Sequence, residues 1–196
     1  DSARVQISKG FLKASKKQAN RNINYLKDLI TSDIPLIGIE PSAILSFRDE
    51  YLRLADDRAS ARKIATNSFL IEEFLASEID NGFITSSQFS SEKKDIKLHV
   101  HCHQKTLSNQ KVTFDILNLP INYSPTIINS GCCGMAGSFG YEKDHYEISM
   151  RIGELKLFPA ILKCDETTLI AANGISCRQQ LADGTKRKAL RPVSIL

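Results

Sequence analysis

At 196 residues, with 42% hydrophobic and 24% charged side chains, the chain is long enough to bury a proper core as one large domain or two packed halves. No apolar run approaches the ~20 residues of a bilayer-spanning helix, no signal-peptide pattern opens the sequence, and five cysteines do not pair off into a secreted disulfide framework. A reducing cytoplasm is expected, with membrane association at most peripheral, at the inner face.

The net charge of +4 is concentrated in Arg4, Lys9, Lys13, Lys16, Lys17, Arg21 and Lys27, and again in Lys186-Arg187-Lys188 with Arg191. Neither cluster has the interleaved aromatics of a single-strand binder, so no nucleic-acid partner is expected. A solvated helix face, or a docking surface for a partner domain, fits such charge runs better.

In chain order, residues 9–30 predict a helix, with Leu12, Ala19, Ile23, Leu26 and Ile30 on one face and lysines opposite. No strand precedes it, which is an odd opening for an α/β domain and points to a piece of a longer chain. Residues 34–39 predict a short buried strand, and Ser42 an N-cap for a helix over 43–54. A long helix is expected over 60–80, with Ile64, Ile71, Phe74, Leu75 and Ile79 as its apolar stripe. Residues 81–94, rich in serine, predict a loop between two halves, 1–80 and 95–196.

The second half reads as a strand over 95–101, a short helix after Cys102, and a strand over 125–130. A helix follows over 142–157, burying Ile148, Ile152 and Leu155 before Pro159 ends it. A strand over 167–172, a helix opened by Cys177 and running through Leu181, and a last strand over 192–196 complete it. This alternation predicts an α/β fold with a parallel sheet and helices on both faces.

The stretch that carries chemistry is Gly131-Cys-Cys-Gly-Met-Ala-Gly-Ser-Phe-Gly-Tyr-Glu-Lys143. Vicinal cysteines rarely bond to each other, but both can face one centre when glycines let the backbone turn sharply. Cys102, the Cys132/Cys133 pair and Cys177 each fall just past the carboxyl end of a different predicted strand, at the edge where open parallel sheets bind ligands. Four thiols separated by 29 and 43 intervening residues can therefore converge, whereas Cys164, after a helix, should lie at the opposite edge. Four thiolates suit either an iron–sulfur cluster or structural Zn²⁺; the bland alternative is a buried small-residue turn. Gly134, His103 and His101 are candidates to support such a centre from behind, His103 ahead of His101. His145 reads as a surface residue. A cysteine–histidine hydrolase lacks any third orienting residue, and neither a dinucleotide fingerprint nor a P-loop is present.

These residues resemble the cysteine-rich CCG domain of heterodisulfide reductase subunits and of glycolate-oxidase-type iron–sulfur subunits. His101-Cys-His-Gln-Lys105, the Gly131–Lys143 string and Ala172-Asn-Gly-Ile-Ser-Cys-Arg178 carry the resemblance, which extends over essentially the whole chain through Gly38-Ile-Glu-Pro-Ser42 and Ile7-Ser-Lys-Gly-Phe-Leu12. Together they are similar to the C-terminal iron–sulfur part of an FAD-linked oxidase of the D-lactate dehydrogenase type. The resemblance implies a 4Fe–4S type centre held by Cys102, Cys132, Cys133 and Cys177, with electrons relayed from FAD to an acceptor. The FAD and substrate sites would then lie in a flavin-binding domain outside this sequence. The family carries two such repeats; here Asp1-Ser-Ala-Arg4 stands where relatives have Cys-Cys-Gly-Arg, and Ala43 where many have cysteine. The resemblance therefore implies a first repeat without ligands, and leaves open a zinc-bound or metal-free docking module.

Overall fold

A computed structural model describes residues 1–196, and the chain divides into two compact units, Asp1–Ile71 and Glu72–Leu196. Both are α/β, and every strand pairing is parallel.

The first unit begins with a short helix, α1 (Arg4–Ser8), followed by α2 (Leu12–Leu26). Left-handed backbone at Gly10 (φ 78°) separates them, so the helix expected over 9–30 is shorter at both ends. α2 buries Ser15, Ala19 and Ile23, whereas Leu12 is exposed. β1 (Leu36–Gly38) leads into α3 (Pro41–Ile44), a 3-10 turn over Leu45–Phe47, and α4 (Glu50–Leu54). The helix expected over 43–54 is thus broken into pieces.

The helix expected over 60–80 is also two: α5 (Arg58–Thr66) and α6 (Ile71–Asp80), with β2 (Ser68–Leu70) between. Asn67 ends α5, and its carbonyl accepts from Leu36 N at 2.8 Å, setting the register of β2 on β1. Tertiary pairing here overrides a helical apolar period. α6 then belongs to the second unit, because Leu75, Ala76 and Ile79 pack against that unit's core. The division therefore falls at 71/72 rather than within 81–94.

Asp57 caps α5: its carboxylate accepts from Ser60 N at 3.0 Å and from Ser60 Oγ at 2.7 Å. These bonds favour the charged form and hold its pKa below the usual 3.8. A lowered carboxyl pKa stabilises above the unfolded value and loses that contribution as pH falls through the folded one. The amides of α5 are accordingly expected to lose protection on acidification below that range. Asp57→Ala should remove this pH dependence, as read by hydrogen exchange.

The second unit holds β3 (Lys94–His99), α7 (Cys102–Leu107), α8 (Gln110–Asn118), β4 (Tyr123–Ile127), α9 (Tyr146–Leu162), β5 (Leu169–Ala172), α10 (Ile175–Thr185) and β6 (Ala189–Leu190). The sheet order is β4-β3-β5-β6, and the expected last strand over 192–196 contains instead a 3-10 turn, Pro192–Ser194. Helices cover both faces. Ile96, Leu98 and Val100 share one core with Ile116 and Leu117 of α8, while Ile170 and Ala172 share the other with Leu157, Phe158 and Ile161 of α9 and Leu181 of α10. Parallel strands buried on both faces are the expected consequence of such crossovers.

α9 runs past Pro159 to Leu162, and its buried face is Ser149, Gly153, Leu157, Phe158 and Ile161 rather than Ile148 and Leu155, which are exposed. Apolar residues lie all round this helix, so periodicity alone picks the wrong face. Close packing picks the right one. A Cβ on Gly153 or on Gly184 would come within 2.3 Å of the Phe158 ring, which lies between the two.

Candidate metal centre

The parallel sheet delivers the candidate residues at one edge. β3 ends at His99, and Cys102 opens α7; β4 ends at Ile127, and Cys132 and Cys133 follow in the next loop; β5 ends at Ala172, and Cys177 lies in the first turn of α10. The loop after β4 is wound tightly by left-handed residues Gly134 (φ 109°), Ala136 (φ 40°) and Gly137 (φ 72°). At Gly134 no other residue fits: a Cβ would stand 2.1 Å from Ser149 O and 2.8 Å from Gln180 Nε2. Gln180 Nε2 itself donates to Ser149 O at 2.9 Å and Oγ at 3.0 Å, joining α9 to α10 behind the loop. The Gly134 N–H donates to Cys132 Sγ at 3.3 Å, and Lys105 Nζ donates to Ser130 O at 2.7 Å.

The four thiols form a contacting row, all reduced: Cys102 touches Cys132, Cys132 touches Cys133, and Cys133 touches Cys177. Cys102 and Cys132 are partly exposed, while Cys133 and Cys177 are buried. The row shares its protons unevenly. Donation to the Cys132 sulfur, then burial, pushes Cys102 well above the ordinary thiol range; Cys133 is raised by Cys132, then Cys177, then burial. Donation from Cys102, then Cys133, pushes Cys132 well below that range, and Cys133 does the same for Cys177 against its burial. Four converging sulfurs, with backbone N–H groups donating to Cys132, make a pocket that suits a cation.

Cys164 lies elsewhere, after α9, where its thiol donates to Ala160 O at 3.0 Å. His101 caps α7, its Nδ1 accepting from His103 N at 3.1 Å, and its ring lies over Gly174, where a Cβ would be 2.3 Å from Cδ2. The imidazole of His101 is near enough to favour the Cys177 thiolate. His103 is partly exposed, its ring 5.4 Å from that of His101. His145 stacks on Phe139 at 4.1 Å and pairs with Glu142 at 3.2 Å, outside the row.

One residue that sequence reasoning overlooks is His99. It is fully buried, and one ring nitrogen lies with the Cys133 and Cys177 sulfurs in a group whose atoms are all within 4.8 Å of one another. Strand alternation carries the signal: Leu98 and Val100 point to one face and His99 to the other, and in a doubly covered sheet that face is buried too. The donor set of thiolates with a buried imidazole fits a bound metal.

Comparison with known proteins finds oxidoreductases, specifically parts of larger dehydrogenases. The chain is 28% identical over 180 residues to D-2-hydroxyglutarate dehydrogenase of Escherichia coli (strain K12), and 28% identical over 192 residues to that of Pseudomonas putida. These alignments take in 91% and 95% of the chain but only 17% of either relative. It is also 24% identical over 194 residues to one subunit of the anaerobic glycerol-3-phosphate dehydrogenase of E. coli, covering 97% of the chain and 47% of that relative. No protein-family model and no solved structure matches it. No helix is long and apolar enough to cross a membrane.

Proposed function

We propose that this chain is an electron-transfer domain of an FAD-linked 2-hydroxy-acid dehydrogenase, with a 4Fe–4S type centre held by Cys102, Cys132, Cys133 and Cys177. The observation that carries this reading is the row of four reduced thiols at one sheet edge, in a chain similar to parts of dehydrogenases. An iron–sulfur centre, when bound, takes up and releases single electrons. The chain's own residues do the rest. Gly134 gives the loop its turn and its N–H to Cys132, the Gln180–Ser149 bonds fix that loop against α9 and α10, and burial of Cys133 and Cys177 excludes water from the inner side. Cys102 and Cys132, at the exposed end, define the side from which an electron acceptor would approach.

The first unit is read as a repeat that has lost its ligands, and its geometry supports this. Ala43 follows the end of β1 at Gly38 by five residues, as Cys177 follows the end of β5 at Ala172, and the β1–β2 pairing matches the β5–β6 pairing. Exposed Lys13, Lys16 and Lys17 on α2, Lys16 held by Asp56 at 2.5 Å, offer a docking face for the flavin-binding domain or an acceptor. The FAD would belong to that partner domain, and the cytoplasm, or its membrane face, would be the site of action.

A zinc-bound docking module of the same enzyme is the second reading, favoured by the imidazole beside the thiols, since Zn²⁺ takes mixed nitrogen and sulfur donors. Reduction separates them. Protein purified without oxygen is expected to be brown, to bleach on addition of dithionite and to develop a paramagnetic signal. A colourless protein whose spectrum dithionite leaves unchanged would overturn the electron-transfer reading.

A further inference from the structure

We propose that His99 is a metal ligand, its Nε2 completing the buried end of the centre beside Cys133 and Cys177. This rests on the metal-centre reading above and adds a nitrogen to what would otherwise be an all-sulfur set.

Strand alternation aims the side chain. Ile96, Leu98 and Val100 of the β3 segment enter one core, so His99 faces the other, which contains Cys133 and Cys177. It is 0% exposed. Nδ1 is engaged with Ser130 Oγ at 2.9 Å, and Ser130 belongs to the same loop as Cys132 and Cys133. Nε2 has no hydrogen-bond partner of good geometry. A fully buried ring nitrogen without a partner is rare in folded proteins and calls for an explanation.

The geometry supplies one. A ring nitrogen of His99 and both sulfurs lie within 4.8 Å of one another, and with Nδ1 taken up by Ser130 the nitrogen left without a partner is Nε2. Metal–nitrogen bonds are about 2.0–2.1 Å and metal–sulfur bonds about 2.3 Å, so donors to one ion stand at separations of this size with the ion between them. Ser130 Oγ can accept from Nδ1–H, and in that tautomer the lone pair is left on Nε2, as in histidine ligands whose second nitrogen is fixed by a partner. Cys102 and Cys132 occupy the exposed end of the row, and His99 the buried end.

The test uses Co²⁺ added anaerobically to the thiol-reduced full chain, whose visible bands report the donor set. Wild type should give the bands of mixed nitrogen and sulfur coordination. His99→Ala should move them and weaken Co²⁺ binding by about 100-fold, the upper range for losing even a supporting group. His99→Cys should restore tight binding with bands shifted to longer wavelength, as sulfur replaces nitrogen. Wild-type protein with ¹⁵N-labelled histidine and bound Zn²⁺ provides a reading free of substitution: the His99 Nε2 resonance should take a metal-bound shift. Co²⁺ binding with the same bands and affinity in His99→Ala, or a Zn²⁺-bound protein with an unshifted His99 Nε2, would overturn this inference and leave the metal centre standing. Failure of wild type to bind Co²⁺ would overturn both.

Discussion

Cys133→Ser is expected to strip the centre, lowering bound metal by more than about tenfold relative to wild type. Cys133 is the middle of the row: it contacts Cys132 on one side and Cys177 on the other, and it is only 3% exposed. Its loss separates the partly exposed Cys102–Cys132 pair from the buried Cys177–His99 pair, so neither remnant keeps enough donors. Groups that merely support a metal ligand are worth roughly 10–100-fold in affinity, and a ligand in the centre of the row should be worth more. Cys164→Ser serves as the control. Its thiol meets only the Ala160 carbonyl one helical turn back, and metal content should not change. Metal analysis of the two proteins purified side by side without oxygen reads the contrast directly.

The second large effect is expected at Gly134, where Ala should destabilise the second unit by about 2–6 kcal/mol. Two independent costs add there. A side chain at φ 109° lies far outside the regions open to L-residues, a strain of order 1–3 kcal/mol. The added methyl also meets a backbone atom, Ser149 O, at 2.1 Å, and overpacking of a well-filled interior costs roughly another 1–3 kcal/mol. Because the obstacle is backbone of α9 rather than the end of a flexible side chain, it cannot step aside. Thermal unfolding should show a midpoint lowered by roughly 5–15 °C. The same substitution withdraws the loop from its bond to Cys132 Sγ, so metal retention should fall with stability.

Which of these features are legible in the sequence follows from what each signal depends on. The parallel α/β character of the second unit is written in short apolar runs that cannot be half-solvated, such as Leu169–Ala172, each followed by a turn and a helix. The convergence of the thiols follows from the same rule, since residues just past the carboxyl ends of parallel strands share an edge. β2 is hidden because Ser68–Leu70 continues the apolar stripe of its flanking helices, and only pairing with β1 makes it a strand. The buried face of α9 escapes a periodicity reading because Gly153 contributes to packing by having no side chain, a property that no hydrophobic scale registers. His99 is masked by its neighbours His101 and His103, which flank Cys102 in sequence. In space His101 packs over Gly174 and caps a helix, while the histidine three residues before Cys102 reaches the buried sulfurs.

If the thiol row holds a redox-active iron–sulfur centre, as proposed, iron and acid-labile sulfide per chain in protein purified without oxygen measure it most directly. Both are expected together, at about four of each per chain for a cubane centre. Zinc at about one per chain with no labile sulfide would contradict it.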